Sequence, residues 1–202
     1  GTVRLQTWSQ TGLIVLFAAL ILAGLYVTWR TRAQIFAYVN VRWRLLVSIE
    51  VLAGMLYVFM IGIRLTNPDL SHDAYGGEKP MDFAYFNAVL RSTVFPAFDP
   101  WFADGYINYY YFGFVIVGVP TKILGMVPAL AYNLILPTLF SMTGIAAFSL
   151  AFNITSGWRE RHDDDDTLGT KRRTMGNPWV AGVIALLMAV ILGNLATPLM
   201  FA

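Results

Sequence analysis

The chain has 202 residues, of which 57% are apolar and only 13% charged, against about 25% charged in an ordinary soluble domain. The charges fall in short stretches between long uncharged runs, which argues against a water-soluble globule and for lipid as the main solvent. A net charge of +2, with no stretch that combines many Lys/Arg with aromatics on a soluble scaffold, argues against nucleic acid as a partner, and the absence of cysteine excludes disulfide frameworks, iron–sulfur clusters and cysteine–zinc sites.

In chain order, the first predicted span covers 13–29 and carries no charge. A basic connector follows, with Arg30, Arg32, Arg42 and Arg44. The second predicted span covers 45–63, and its length of about 29 Å matches a bilayer core of about 30 Å. Residues 64–108 are polar and rich in carboxylates. The third span is expected over 109–126 with Pro120 inside, and the fourth over 129–152 with Pro137 inside. Proline is tolerated in membrane helices because neighbouring groups re-satisfy the freed carbonyl. A hydrophilic loop at 153–177 holds the run Asp163–Asp166 together with Lys171, Arg172 and Arg173. A fifth span begins at Pro178. The expectation is therefore an all-α, polytopic membrane bundle of about five spans, forming one domain. Because the chain starts at Gly1 and stops at Ala202 within an apolar run, it reads as the N-terminal half of a longer protein.

Orientation follows from Lys/Arg bias. Four arginines in fifteen residues place the 30–44 connector in the cytoplasm, and alternation then places 64–108 outside. The 153–177 loop falls outside by the same alternation, although it carries five Lys/Arg residues.

The segment 67–112 is too apolar for an ordinary exposed loop. Gly76 and Gly77 form a turn, and Pro80 suits the first turn of a helix. Phe83, Phe86 and Leu90 recur at i, i+3 and i+7. The pattern predicts an amphipathic helix over 80–91 lying on the membrane surface. Glu78 and Asp82 bracket its start, where the helix dipole favours carboxylates. Two neighbouring carboxylates could hold Mg²⁺ or Mn²⁺, or one could serve as a general base. Spacing alone is equally satisfied by two charges that merely stabilise a helix start.

Asp99–Pro100 has the pattern of a helix cap, Asp104–Gly105 that of a turn, and Asn108 that of a cap for the third span. Tyr109, Tyr110 and Tyr111 would cover about 200° of a helix circumference, as an aromatic belt or a stacking platform for a sugar. Glu50 lies inside the second span, within reach of Arg42 or Arg44. Arg64 and Arg91 could clamp a phosphate. Asn153-Ile154-Thr155 matches a glycosylation acceptor but abuts a helix end.

The quoted residues, with GGEKPMDFAYFNAVLRS, INYYYFG and AYNLILPTLF, resemble the YYY-type membrane protein family of archaea and Chloroflexi-type bacteria, from about Glu50 to Asn194. That family is one of unknown function. It is similar in turn to the GT-C class of membrane glycosyltransferases. The resemblance implies a prokaryotic, multi-pass protein of the cell membrane that takes a sugar from a polyprenyl-phosphate donor on the non-cytoplasmic face. It implies Asp82 or Glu78 as catalytic base or metal ligand, with Arg64, Lys79, Arg91, Tyr109 and Tyr110 meeting the substrate. Membrane lipid and further helices, of the same protein or of partner subunits, complete the expected partners. Two other readings stand beside it: a non-catalytic subunit of a photosynthetic or respiratory membrane complex, and a transporter. Against the transporter, Glu50 is the one carboxylate within the predicted spans, and no inverted repeat is visible.

Overall fold

The computed structural model describes residues 8–70, 77–93, 95–163 and 176–192, with backbone alone for 158–163. Five α-helices follow in order: α1 (Gln10–Thr66), α2 (Lys79–Arg91), α3 (Phe112–Leu124), α4 (Pro128–Asp163) and α5 (Pro178–Val190). Among the described residues the one extended pairing is an isolated antiparallel bridge between Phe98 and Tyr106. His72, Asp73, the Asp163–Asp166 side chains, Lys171–Arg173 and the end of the fifth expected span lie outside the described side chains.

Ser9 caps α1 by accepting a hydrogen bond from the Gly12 amide at 3.1 Å. The helix then runs for 57 residues without a break, about 86 Å at 1.5 Å per residue. The connector expected at 30–44 is therefore helical, and the two expected spans belong to one element. The reason is compositional: 30–44 contains neither Gly nor Pro to interrupt a helix. Its polar side chains are also satisfied locally. Thr31 donates to the Val27 carbonyl at 2.8 Å, and Arg32 and Arg42 lie over the rings of Trp29 and Tyr38 at 5.5 and 5.6 Å. The helix ends at Asn67, where Pro68 disfavours helical backbone in the preceding residue.

Among the described residues, two helices are long and apolar enough to cross a bilayer: α1 and the Pro128–Gly157 part of α4. Helices α3 and α5 have 13 residues each, about 20 Å, shorter than a bilayer core of about 30 Å. Helix α4 continues through 153–163, so the beginning of the expected second outer loop is helical and the Asn153 acceptor sequence lies inside a helix.

The chain divides into two compact units, Gly1–Trp43 with Arg64–Ile135, and Arg44–Ile63 with Leu136–Ala202. In the second unit, Leu56, Phe148 and Leu186 form the core. Ser141 donates to the Ala53 carbonyl at 2.8 Å, and Phe148, Phe152 and Trp179 cluster with ring centroids 5.3 to 5.8 Å apart. Small residues permit the close approach: Gly182 sits against the Phe148 ring and Gly144 against Leu56.

In the first unit, Trp8, Leu13, Tyr85, Val89, Ala97 and Ile107 form the core. Trp8 is its peg. The indole donates to the Val89 carbonyl at 3.0 Å and meets Phe95 edge-on at 5.0 Å. Lys122 reaches over the same ring at 5.0 Å and donates to the Trp8 carbonyl at 2.7 Å. This packing corrects the expected apolar stripe of α2. From Lys79 to Leu90 every residue is buried or half-buried, and Arg91 alone is exposed. The best-buried positions are Tyr85, Phe86 and Val89 rather than Phe83, Phe86 and Leu90. Helix α2 is thus joined to the core through Tyr85 and Val89, while Ala84, Asn87, Ala88 and Arg91 line an open groove on its other side.

A carboxylate pair within an aromatic shell

Glu78 and Asp82 stand one turn apart at the start of α2, where the Asp82 amide donates to the Glu78 carbonyl at 2.9 Å. Pro80 in the first turn fixes the helix start. Glu78 is exposed, and its Oε2 accepts a hydrogen bond from the Tyr110 hydroxyl at 3.2 Å. Asp82 is half-buried, and among the described residues its enclosed Oδ1 has no hydrogen-bond partner. Burial first, and the charge of Glu78 second, push the Asp82 carboxyl above the usual aspartate range. The Tyr110 phenol is also held above its ordinary value, by desolvation, by its bond to Glu78 and by the charge of Asp82.

The tyrosines are arranged differently from the expectation. Helix α3 starts at Phe112 with Tyr111 as its cap residue, so the 100° spacing does not apply to Tyr109 and Tyr110. Asn108 likewise does not cap the helix. The Tyr109 and Tyr110 rings lean on each other, centroids 3.8 Å apart, while Tyr111 stacks on Phe95 at 6.4 Å.

A third tyrosine closes the shell. Tyr132, near the start of α4, packs on Phe83 and Phe86 at 5.6 and 6.4 Å and lies within electrostatic reach of both Asp82 and Arg64. Arg64, at the end of α1, is held by its neighbour Asn133: its Nε donates to Asn133 Oδ1 at 3.0 Å, with a second, shorter bond from Nη2. The Asn133 amide in turn donates to the carbonyls of Ala129 and Pro68 at 3.1 and 3.3 Å. Tyr132 and Asn133 are absent from the sequence-derived candidates. The signal available was a phenol and an amide at the head of an otherwise apolar run.

Lys79 is half-buried in the first turn of α2. Arg91 is not part of this group. Nine residues beyond Asp82 it lies about 14 Å along the axis and on the opposite side of the helix, where it lines an open groove of about 470 Å³ with Ala84, Asn87, Ala88, Phe98 and Pro100. The structure thus gathers Glu78, Asp82 and Tyr110, brings Arg64 up through Tyr132 and Asn133, and sets Arg91 apart. Glu50 is exposed on α1.

Asp99 makes a capping-type bond without a helix, accepting from the Trp101 amide at 2.8 Å. It also hydrogen-bonds with Tyr85, whose phenol is pushed up by burial and by the Asp99 charge. Asp104 occupies the left-handed region, with φ of 61°, in a turn closed by the Gly105 amide on the Phe102 carbonyl at 3.2 Å.

An enclosed carboxylate with raised proton affinity is suited to taking a proton from a hydroxyl near neutral pH. The pair offers hard oxygen donors of the kind Mg²⁺ and Mn²⁺ prefer. Among the described residues no third His, Cys, Asp or Glu joins them, so most of a cation's remaining ligands would come from water or substrate. A family model described as an uncharacterized membrane protein (DUF2298) matches residues 1–202. No curated protein and no solved structure matches the chain.

Proposed function

Since the chain belongs to the uncharacterized membrane protein family DUF2298, we propose that it is a membrane glycosyltransferase of GT-C type, using a polyprenyl-phosphate sugar on the non-cytoplasmic face. The observation that carries this reading is the enclosed Asp82 oxygen, which has no hydrogen-bond partner among the described residues and sits one turn from a second carboxylate. Asp82 is the acceptor base in this reading. Its raised proton affinity keeps it able to accept a proton without being a strong acid afterwards. Glu78, oriented by Tyr110, shares a divalent cation with it, and that cation offsets donor phosphate charge. Tyr109 and Tyr110 provide aromatic faces for a sugar ring. Arg64, held by Asn133, supplies one cation, and Lys79 a second. Arg91 is left out of the donor site because α2 turns it away. The segment 64–108 lies outside the cell in this scheme.

The test is transfer of a labelled hexose from polyprenyl phosphate by the full chain in proteoliposomes with Mg²⁺ or Mn²⁺. General bases contribute about 10²–10⁴-fold, so Asp82→Asn should lower transfer by that order while helicity and elution in detergent stay unchanged. Undiminished transfer by Asp82→Asn would remove Asp82 from the chemistry.

A further inference from the structure

Residues 97–107 form a short hairpin whose two feet are buried and whose tip is bare. Ala97 and Ile107 are fully enclosed, and the Ile107 amide donates to the Ala97 carbonyl at 2.9 Å. The Asp99 amide closes the next rung on the Gly105 carbonyl at 2.9 Å. Asp99 braces the structure from within, through the Trp101 amide and Tyr85. Gly105 is required here, since a Cβ would stand 2.3 Å from the Phe102 ring. On this rigid base Phe98, Trp101, Phe102 and Tyr106 are 64%, 65%, 70% and 53% exposed. These values equal those of apolar side chains on the span helix α1, such as Leu22 at 68% and Val58 at 66%.

We infer that this hairpin is an interfacial anchor, seated at the boundary between headgroups and acyl chains of the bilayer. Four aromatic side chains displayed together on a fixed loop need an apolar neighbour, and two of them, Trp101 and Tyr106, carry the polar tip that favours the membrane–water interface. The surface is continuous with lipid-facing chain. Tyr109 and Tyr110 follow at once, and α3 then begins with Phe112 and Ile116 exposed. Arg91, in the groove behind Phe98, suits a phosphodiester. Asp99 is committed to internal bonds, and the exposed Asp104 at the turn keeps its charge in the headgroup layer rather than among the acyl chains. The assignment stands apart from the transferase reading and needs only a membrane protein.

The chain has no cysteine, so Phe102→Cys and Trp101→Cys each give a unique site for a nitroxide. Both positions are exposed and leave the core untouched. With the full chain in phosphatidylcholine vesicles, collision with oxygen should exceed collision with a water-soluble nickel chelate several-fold at both sites, with helicity unchanged. Equal access to the nickel chelate and to oxygen, as for the nitroxide free in buffer, overturns the anchor. So does spin–spin broadening that disappears on dilution with unlabelled chain, which would assign the tip to contact with a second copy. If the Trp101 variant loses helicity, position 102 decides alone.

Discussion

Asp82 makes the energetic cost of the site explicit. An acceptor enclosed without a hydrogen bond costs about 1–3 kcal/mol, more when charged, and the fold reduces that cost by holding the proton more tightly. In the unfolded chain the carboxyl titrates near 3.9, and in the folded protein above it. The folded state therefore binds the proton better. The contribution of this carboxyl to stability is greatest below pH about 4, falls as pH rises through the folded value, and then levels off. Asp82→Asn carries no charge, so its thermal midpoint in detergent at pH 7 should match or exceed the parent's, and this margin should shrink toward pH 4. A parent that becomes more stable as pH rises through that range would contradict the enclosed carboxyl. The pair itself was legible in the sequence, because Pro80 and two carboxylates mark a helix start by local chemistry. Its setting was not. Tyr132 and Asn133 come from a helix fifty residues on, and only tertiary packing brings them to Asp82 and Arg64. Arg91 was grouped with them by charge, and the helical turn separates it.

Among the elements, the helices are fixed by local signals and by close contacts between small residues. Proline after Asn67 stops α1, Gly125 in the left-handed region with φ of 62° stops α3, and Asn177 caps α5 on the Trp179 amide at 2.9 Å. Those boundaries could be read in advance. The 30–44 stretch could not, since charge suggested a loop while the absence of Gly and Pro allowed a helix to continue. The α4–α5 contact depends on Gly182. A methyl there would lie 2.7 Å from two ring carbons of Phe148, which is 1% exposed and held between Phe152 and Trp179. Overpacking of this kind costs about 1–3 kcal/mol. Gly182→Ala should therefore lower the thermal midpoint, whereas Gly62→Ala, with open space around its site, should be neutral or raise stability by up to about 1 kcal/mol. Equal melting of the two variants would show that the Phe148 contact is not tight.

For the whole molecule, two candidate crossings and a membrane protein family give the same answer as composition. The full chain should stay in the pellet when membranes are washed with alkaline carbonate, and should be released by detergent. Recovery in the wash would be incompatible with apolar helices in lipid. The all-helical class was legible from hydropathy alone. The number of crossings was not, because hydropathy marks apolar stretches and is silent on whether a helix continues between them.

The Trp8 peg carries a consequence for the order of events during synthesis. Its partners lie 81 residues away at Val89 and 114 away at Lys122. Closing loops of that length is entropically costly and waits for the later segment. The first tryptophan described here therefore stays unseated until Lys122 has left the ribosome. Helix α2, with the acidic pair at its head, gains its last contact later still, when Tyr132 reaches Phe83 and Phe86, so a nascent chain halted earlier holds the residues of the acidic pair without the frame that fixes them.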